Sequence, residues 1–514
     1  DLLPHLNEWA DPGLIQTRGW PDWRTALVAL HHPEADADLL PETPARQRLA
    51  YDELLAHQIA LQSHRRTRQS QPSTAYGPGP LSAAFKQALP WSLTNAQART
   101  LAEIRADMSS GLRMNRLVQG DVGSGKTVVA ALAMLDVAGA GAQAVLMAPT
   151  EILARQHYER LSAQLEPLGV ACALLTGRDK GKGRAQKLEA IADGTTRLVF
   201  GTHAVFQDDV IYHRLGLAVI DEQHRFGVRE RQRLCDKGES VHVLSLSATP
   251  IPRSLALTQY GDLHLSSLDE KPPGRQPVTT AVLPLDRIGA VVARLKQAIA
   301  KGTQAYWICP LVNETEELDL AAAEARVHDL SGALGLPVGL VHGQRPPAEK
   351  EATMQAFSRG EIAVLCATTV VEVGVDVPNA TIMVIEHAER FGLAQLHQLR
   401  GRVGRGGGES ACILLYGTPL SKAGRARLEV LRDTEDGFVI AERDWQLRGE
   451  GDLLGLKQSG FPAYQFADPL AHGDLLSIAA RDAGLILRKP PAPDSPRAKA
   501  LNQLVHLFDW PVAE

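Results

Sequence analysis

Short apolar runs alternate with longer amphipathic segments through the middle of the chain. Each run has the length of a buried β-strand, and roughly ten to twenty residues of helical pattern separate one run from the next. The clearest runs are residues 217–220, 241–246, 305–309, 338–341, 363–367 and 382–385. This alternation predicts parallel sheets with helical crossovers, which is an α/β fold. A proline-rich passage at 271–275 interrupts it, so we expect two α/β lobes joined by one hinge.

Helical patterns flank the two lobes. Apolar residues recur at helical spacing from Pro44 to about Ser70 and predict one amphipathic helix. Beyond the last strand pattern, a charged helical pair at 422–432 and 438–448 leads into a glycine-rich loop. We therefore predict four regions: a linker and long helix at 1–80, a first lobe at 81–270, a second lobe at 271–420, and a helical hairpin, loop and tail at 421–514.

The composition excludes several classes of protein. The 514 residues are 44% hydrophobic and 22% charged, as in ordinary globular proteins, and no apolar run approaches the ~18 residues that cross a membrane. The net charge is −5, so any nucleic-acid-binding surface must be local. Five widely spaced cysteines favour reduced thiols in a cytosol over a zinc or disulfide framework. Because the chain opens on Asp1 without a leader, we expect it to be cut from a longer protein.

Residues 120–127 read GDVGSGKT and match the phosphate-binding pattern G-x-x-x-x-G-K-[ST]. The segment follows an apolar run and opens a helical pattern, which is the context that such a loop needs. Lys126 is expected to reach the β- and γ-phosphates of ATP, and Thr127 is expected to hold Mg²⁺. The predicted nucleotide-binding residues of this loop are Gly120, Gly123, Ser124, Gly125, Lys126 and Thr127.

Two carboxylates, Asp221 and Glu222, directly follow the apolar run at 217–220. This position predicts the C-terminal edge of a parallel sheet, where α/β proteins bind their ligands. An acidic pair after a strand is usually a helix cap, but beside a phosphate loop it is typical of an ATPase. We expect Asp221 to hold Mg²⁺ and Glu222 to orient or deprotonate the attacking water, with Lys126 as the third catalytic residue of this lobe.

Thr94 and Gln97 have two interpretations. The spacing T-x-x-Q is that of a capping box, in which both side chains satisfy N–H groups at the start of a helix. Alternatively, the Gln97 amide pairs with the amino group and ring nitrogen of adenine and selects ATP over GTP. The two roles are compatible, so both stay open.

Residues 398–405 read QLRGRVGR and place three arginines among glycines. We expect Arg402 and Arg405 to reach ATP held by the first lobe and to neutralise charge in the transition state, as arginine fingers do. Gln398, which opens the motif, is assigned to the same catalytic group. The alternatives are a solvated basic loop and a contact with the backbone of a nucleic acid.

In order and spacing, these motifs resemble those of superfamily-two helicases over about residues 93–417. Further matching segments are APTE at 148–151, GTH at 201–203, SATP at 247–250 and ATTVVEVGVD at 367–376. The resemblance implies two tandem RecA-like P-loop lobes with parallel sheets. It also implies that residues 247–249 link hydrolysis to strand movement.

The same resemblance implies roles for five residues of those segments. Thr150, Thr202 and Thr368 would follow the phosphates of one DNA strand, since hydroxyls and helix N-termini are sequence-independent donors. Gly374 and Asp376 would contact the ribose and triphosphate of ATP when the lobes close.

The stretch 424–460 resembles the TRG translocation motif, a helical hairpin and loop shared by RecG helicases and the transcription-repair coupling factor. Its polar residues fall on Arg427, Arg448 and Gln458, which the resemblance assigns to coupling of hydrolysis to translocation. Ser124 in the phosphate loop and His224 in the acidic motif favour the RecG family. A hairpin that only braces the second lobe is the structural alternative.

The resemblance to RecG implies an ATP-dependent double-stranded DNA translocase that remodels branched DNA, such as stalled replication forks and Holliday junctions, in recombination and repair. A protein-displacing translocase like the coupling factor is the alternative. An RNA helicase of the same superfamily would lack the TRG-like hairpin. Expected cofactors are ATP and Mg²⁺, and expected partners are branched and double-stranded DNA and a single-stranded DNA-binding protein.

Three further expectations complete the sequence-based picture. The resemblance implies a monomer in the bacterial cytoplasm, associated with the nucleoid. It also implies an N-terminal wedge domain of OB type before residue 1, which we expect to be missing from this chain. Two basic segments, at 65–66 and 178–187, are additional candidate DNA contacts, although runs of charge are usually solvated faces.

Overall fold

A computed structural model describes most of the chain. The described residues are 6–69, 71–250, 263–272, 276–310, 316–368, 377, 379–404, 406, 408–449, 464–468 and 471–508. Three helices come first: α1 (Pro12–Arg18), α2 (Trp23–His31) and α3 (Pro44–Gln69). Helix α3 agrees with the single long helix that the sequence predicts from Pro44 onward.

The first lobe is a parallel sheet with helices on both faces. Its elements are α4 (Pro80–Ala88), α5 (Asn95–Ser109), β1 (Asn115–Gly120), α6 (Lys126–Gly139), β2 (Gln143–Met147), α7 (Glu151–Leu165), β3 (Cys172–Leu175), α8 (Gly181–Ala192), β4 (Leu198–Gly201), β5 (Leu215–Ile220), α9 (Val228–Cys235), β6 (His242–Ser247) and β7 (His264–Leu268). The strand order is β3-β4-β2-β5-β6-β1-β7. Every residue of β2, β5 and β6 is buried, as expected for parallel strands that are covered on both faces.

Alternate residues of each central strand face opposite sides of this sheet. In β2, Ala144 and Leu146 join the apolar core that contains helix α6, whereas Val145 and Met147 join a separate core on the other face. This alternation follows from the two-residue period of a strand. Both faces are therefore covered, as the sequence predicts for parallel strands with helical crossovers.

The second lobe repeats the same plan. Its elements are β8 (Val278–Pro284), α10 (Ile288–Ile299), β9 (Gln304–Ile308), α11 (Glu316–Leu334), β10 (Val338–Val341), α12 (Pro347–Ser358), β11 (Val364–Ala367), β12 (Ala380–Ile385), α13 (Leu393–Arg400) and β13 (Ser410–Tyr416). The strand order is β10-β11-β9-β12-β13-β8, and all neighbouring strands are parallel. The prediction of two tandem α/β lobes is confirmed.

Among the described residues, four helices follow the second lobe: α14 (Lys422–Asp433), α15 (Gly437–Gly449), α16 (Gly473–Arg488) and α17 (Pro496–Leu507). Helices α14 and α15 form at the two segments where the sequence predicts a charged helical pair. Short 3₁₀ segments connect several elements, namely Asp36–Leu39, Glu166–Leu168, His203–Phe206, Gln223–Arg225, Leu285–Arg287 and Ala388–Arg390. Among the residues described above, no helix is both long and apolar enough to cross a membrane.

The N- and C-terminal helices form one compact unit, separate from the unit that holds both lobes. Trp9, Trp20 and the α3 residues Leu54 and Leu55 share a buried core with apolar residues of α16 and α17. The sequence pattern predicts these segments as separate regions of the chain and the first residues as a linker. The burial of Trp9 and Trp20 in a shared core differs from that prediction.

Polar side chains of α3 are buried in this unit because each finds a partner. The guanidinium of Arg48 donates to Asp52 and to Glu8, and the Trp9 indole N–H donates to Asp52 at 2.6 Å. The Glu53 carboxylate accepts three consecutive backbone N–H groups, at 2.6 to 2.8 Å, from residues 465–467. These bonds offset part of the cost of desolvating the charges and hold residues 465–467 against α3.

Candidate active site

Three loops of the first lobe meet at one edge of its sheet. Strand β6 pairs in parallel with both β1 and β5, so the C-terminal ends of these three strands are neighbours. The phosphate-loop sequence follows β1, the acidic pair follows β5, and residues 247–249 follow β6. The topology therefore places three predicted motifs at the position where parallel α/β sheets bind ligands.

The phosphate loop ends at the N-terminus of α6. Gly125 has a left-handed backbone with φ of +88°, and a Cβ there would overlap the Gln97 amide, so both the backbone and the neighbour require glycine. Lys126, the first helical residue, is buried, and its ammonium donates to the carbonyl oxygens of Gly120 at 2.6 Å and Asp121 at 2.9 Å. Its charge thus lies within the curve of the loop.

The remaining loop residues support this arrangement. Gly123 is also left-handed, with φ of +84°. A Cβ on Gly120 would lie 2.8 Å from both the Ser124 hydroxyl and the Leu268 side chain, so a larger residue would not fit. Ser124 is 2% exposed, and Thr127 occupies the second position of α6. The loop therefore has the form that the sequence predicts for a phosphate site.

Gln97 joins the start of α5 to the phosphate loop. Thr94 and Gln97 form the predicted capping box: the Gln97 N–H donates to the Thr94 hydroxyl at 3.2 Å, and the Gln97 Oε1 accepts from the Thr94 N–H at 3.1 Å. The Gln97 Nε2 donates to the Ser124 carbonyl at 2.8 Å. The capping interpretation thus holds, and adenine recognition by the same side chain stays a prediction.

The acidic pair lies at the end of β5 in a constrained conformation. Glu222 has φ of +51°, which is uncommon for a residue with a side chain and typical of functional sites. Its N–H donates to Asp221 Oδ1 at 3.1 Å, and Asp221 Oδ2 lies 2.9 Å from His157 Nε2 on α7. The Asp221 side chain is only 13% exposed.

The two carboxylates differ in their tendency to bind a proton. Burial alone would raise the pKa of Asp221, but the hydrogen bond from His157 and the charge of Lys126 outweigh it and lower that pKa. Burial, followed by the charge of Asp221, raises the pKa of Glu222. A carboxylate that stays ionised beside one that binds protons more readily suits a pair of metal ligand and general base.

Residues 247–249 lie beside Glu222. The Ala248 N–H donates to the Glu222 carboxylate at 3.4 Å, and the hydroxyls of Ser247 and Thr249 are 3.0 Å apart. Residues 247–249 are therefore hydrogen-bonded to the predicted general base.

The second lobe contributes the predicted arginine motif. Gln398 and Arg400 lie in the last turn of α13 and are buried. Arg402 follows the helix. Its positive charge lowers the pKa of Glu222, although burial and the charge of Asp221 raise that pKa by more. Arg402 is thus close enough to the acidic pair to interact with it electrostatically, whereas Arg405 lies outside the described residues.

A second connection between the lobes was not predicted from the sequence. His397 Nε2 lies 3.0 Å from the Asp121 carboxylate, which also accepts the backbone N–H of Gly437 at the start of α15. Arg400 bonds the other His397 nitrogen at 3.0 Å and donates to the Leu431 carbonyl at 2.6 Å. Asp121 occupies a variable position of the phosphate-loop pattern, so only its charge marks it.

The predicted DNA-binding threonines follow strands of the two sheets. Thr150 caps α7 by accepting the Leu153 N–H at 3.4 Å, while Thr202 follows β4 and is 6% exposed. Thr368 follows β11 and is 1% exposed. Gly374 and Asp376 lie outside the described residues.

The predicted coupling residues are only partly described. Arg427 lies on α14, where its guanidinium donates to the Ala423 carbonyl at 3.5 Å. Arg448 lies in α15, and Gln458 lies outside the described residues.

The basic run at 178–187 is largely neutralised by acidic partners. Arg184 pairs with Asp209 at 2.8 Å and Lys187 pairs with Asp179 at 2.5 Å. Arg178 pairs with both Glu151 and Glu351. These ion pairs favour the solvated-face interpretation of this segment over a DNA contact.

Comparisons with known protein families agree with this site. Residues 94–258 match the DEAD/DEAH box helicase family, and residues 290–407 match the helicase conserved C-terminal domain. Residues 434–508 match the C-terminal part of domain 3 of the ATP-dependent DNA helicase RecG.

Whole-chain comparisons give the same result. The chain is 49% identical to the ATP-dependent DNA helicase RecG of Escherichia coli O157:H7 over 93% of its own length and 70% of that protein's. It is also 49% identical to RecG of Acidithiobacillus ferridurans, over 92% of its own length and 69% of that protein's.

A solved structure also resembles this one closely. The structure of RecG bound to a three-way DNA junction matches with a TM-score of 0.73 and 42% identity, over 92% of this chain and 62% of that chain. This chain therefore spans less than two thirds of that RecG molecule. Sequence, family models and fold agree, and the chain belongs to the RecG family of ATP-dependent DNA helicases.

Proposed function

We propose that this chain hydrolyses ATP between its two lobes and uses the reaction to move along double-stranded DNA and remodel branched DNA. One observation carries the proposal: Lys126, Asp221 and Glu222 meet at the edge of the first sheet, and the charge of Arg402 acts on Glu222 from the second lobe. Such an ATPase site is complete only when Arg402 of the second lobe lies beside the catalytic residues of the first lobe.

The donor set suits a magnesium nucleotide. The phosphates would meet the backbone N–H groups of the loop and the N-terminus of α6, which favours anions. Thr127 and Asp221 supply the oxygen ligands that Mg²⁺ prefers. When bound, Mg²⁺ would neutralise charge on the β- and γ-phosphates. Lys126, which donates to carbonyl groups of the loop in this structure, would bind the same phosphates.

Glu222 is suited to act as the general base. It is half-buried and its pKa is raised, so it accepts a proton from the attacking water more readily than an exposed carboxylate would. Arg402 would then stabilise the charge that develops on the transferred phosphoryl group. The bond from Ala248 to Glu222 gives residues 247–249 a way to respond to that proton transfer.

The DNA track follows the same sheets. Thr150 at the N-terminus of α7, Thr202 after β4 and Thr368 after β11 would donate to phosphates of one strand, without reading its sequence. Such contacts hold the backbone of any sequence, as a translocase requires.

The helical hairpin is the element that we propose converts lobe movement into translocation. Arg400 donates to the carbonyl of Leu431 at 2.6 Å and of Thr434 at 3.0 Å, both near the end of α14. Movement of the arginine motif would therefore displace the end of α14, the first helix of the hairpin. Arg427 and Arg448 lie on its two helices, and with Gln458 we assign them to this coupling.

The comparisons support branched DNA as the substrate. The 42% identical RecG structure is bound to a three-way junction, and the match to RecG domain 3 disfavours the coupling-factor alternative. A monomeric state, a single-stranded DNA-binding protein as partner and a cytoplasmic, nucleoid-associated location stay predictions.

The decisive experiment compares ATPase rates with single-stranded DNA, linear duplex, forked DNA and RNA. It should be run at about 50 and 150 mM salt, because contacts to phosphates weaken steeply with salt. We expect forked and duplex DNA to stimulate hydrolysis and RNA to leave it unchanged. Stimulation by RNA alone would overturn the proposal, as would hydrolysis that no nucleic acid affects.

A further inference from the structure

We propose that His157 is a positioning residue that orients the magnesium-binding carboxylate of Asp221 and connects it to the DNA-facing helix α7. The inference deepens the proposed function, since it explains how DNA could stimulate hydrolysis. It assigns a role to a histidine that belongs to none of the motifs identified in the sequence.

The geometry fixes both oxygens of the carboxylate. His157 Nε2 lies 2.9 Å from Asp221 Oδ2, and the Glu222 N–H donates to Oδ1 at 3.1 Å. A carboxylate accepts in this bond, so Nε2 carries the proton. Both side chains of the pair are 13% exposed, which limits competition from water. Asp221 is therefore held in one rotamer before any ligand binds.

The two ends of the connection lie on one rigid helix. Thr150 caps α7, and His157 is seven residues further on, about 10 Å along the axis. Helix α7 is anchored to the sheet by the buried residues Ala154, Leu161 and Leu165. A DNA phosphate at the N-terminus of α7 would thus be tied to the metal-binding carboxylate by one helical segment.

Partners of metal ligands usually matter almost as much as the ligands themselves. Their loss commonly lowers metal affinity or activity by about 10- to 100-fold, because the ligand loses its orientation. A histidine kept only for packing would behave differently: its replacement would lower stability and would not change the response to Mg²⁺ or DNA.

The test compares three variants of the full chain. His157→Ala removes the donor, and His157→Gln replaces it with an amide N–H of similar reach. Glu159→Ala changes an exposed residue on the same helix and serves as the control. Two properties are measured: the Mg²⁺ concentration for half-maximal DNA-stimulated ATPase, and the affinity for a fluorescent ATP analogue with and without Mg²⁺.

We expect His157→Ala to raise the half-maximal Mg²⁺ concentration and lower DNA-stimulated kcat about 10-fold. The gain in nucleotide affinity on adding Mg²⁺ should shrink, while affinity without Mg²⁺ and the thermal midpoint stay close to those of the parent. His157→Gln should recover most of the loss. In an Asp221→Asn background, His157→Ala should add nothing, since it acts through that carboxylate.

Two outcomes would overturn the inference. One is an unchanged Mg²⁺ dependence in His157→Ala. The other is a loss of activity that follows a lower thermal midpoint equally in His157→Ala and His157→Gln. If the parent chain shows no DNA-stimulated ATPase, the proposed function fails, yet the nucleotide-binding measurement still decides the role of His157.

Discussion

Asp121 of the phosphate loop and His397 of the second lobe are hydrogen-bonded, with Oδ1 and Nε2 3.0 Å apart. Burial opposes a charge on Asp121, but this bond and the charge of Lys126 outweigh it and lower the pKa of that carboxyl group. The backbone N–H of Gly437 binds the same carboxylate. The loop that would hold phosphate thus touches the second lobe and the hairpin at one side chain.

Substitution of Gly437 tests this junction. Its Cβ would overlap Asp121 Oδ1 and lie 2.7 Å from His397 Nε2, so Gly437→Ala forces the three groups apart. The overlap costs about 1–3 kcal/mol in the arrangement that joins these groups. Because the displaced Asp121 belongs to the phosphate loop, we expect DNA-stimulated ATPase to fall by about tenfold, which corresponds to about 1.4 kcal/mol of barrier. Gly289→Ala, where a Cβ has open space, is the control. Equal effects of Gly437→Ala and Gly289→Ala on DNA-stimulated ATPase would show that the contact between Asp121 and His397 plays no part in hydrolysis.

Substitutions of Lys126 and of Glu222 should impair different steps of ATP turnover. Lys126→Ala removes the cation from the phosphate loop and should abolish ATP turnover. Glu222→Gln keeps the shape of the site but removes the base, so nucleotide should still bind while hydrolysis falls by about two to four orders of magnitude, or about 3–5 kcal/mol of barrier. Single-turnover hydrolysis and equilibrium binding measure the two effects. Affinity lost in parallel with rate would contradict the role of Glu222.

Arg402 should affect hydrolysis more than binding. Its charge acts on Glu222 from the opposite lobe, so Arg402→Ala should lower kcat with a smaller change in ATP affinity. Lysine lacks the planar, forked guanidinium, so Arg402→Lys should recover little of the activity. Full activity in Arg402→Lys would reassign the residue to a contact with the DNA backbone.

The hairpin residues should uncouple hydrolysis from remodelling. Arg427→Ala, Arg448→Ala or Gln458→Ala should leave DNA-stimulated ATPase largely intact and abolish fork remodelling, measured by strand exchange in a labelled fork. Arg432→Ala, which removes an exposed pair with Asp433 on α14, is the matched control. Equal losses of ATPase and remodelling would favour a hairpin that only braces the lobe.

The sequence predicted the elements well and their long-range partners poorly. Strand β10 has the bounds expected from its apolar run, because parallel strands buried on both faces leave a continuous signal. The bonds from Glu53 to residues 465–467 join positions more than four hundred residues apart. The hydrophobic period of a helix shows which face is apolar but does not identify the segment that packs against it. The sequence did not identify Asp121, His157 and His397 as site residues for a related reason, since each contacts a partner on another element.

The buried His57 should make the helical unit sensitive to acid. Burial lowers the pKa of His57 to about 4, and its Nδ1 lies 2.9 Å from the Tyr464 hydroxyl. The folded state therefore favours the neutral ring. This contribution to stability is complete above the ordinary pKa of 6.5 and is lost as the pH falls from there toward about 4, by about 3 kcal/mol.

Thermal unfolding of the parent and His57→Phe between about pH 4 and 8 separates this effect from that of Asp52. Burial raises the pKa of Asp52 to about 6, so protonation of Asp52 stabilises the folded state on acidification, opposite to the effect of His57. The phenylalanine variant should lose less stability than the parent on acidification, because it has no ring to protonate. His64→Gln, at an exposed position of the same helix, should follow the parent at every pH. Parallel pH profiles for the parent and His57→Phe would mean that His57 is hydrated in the folded protein, because only a desolvated ring has its protonation penalised on folding.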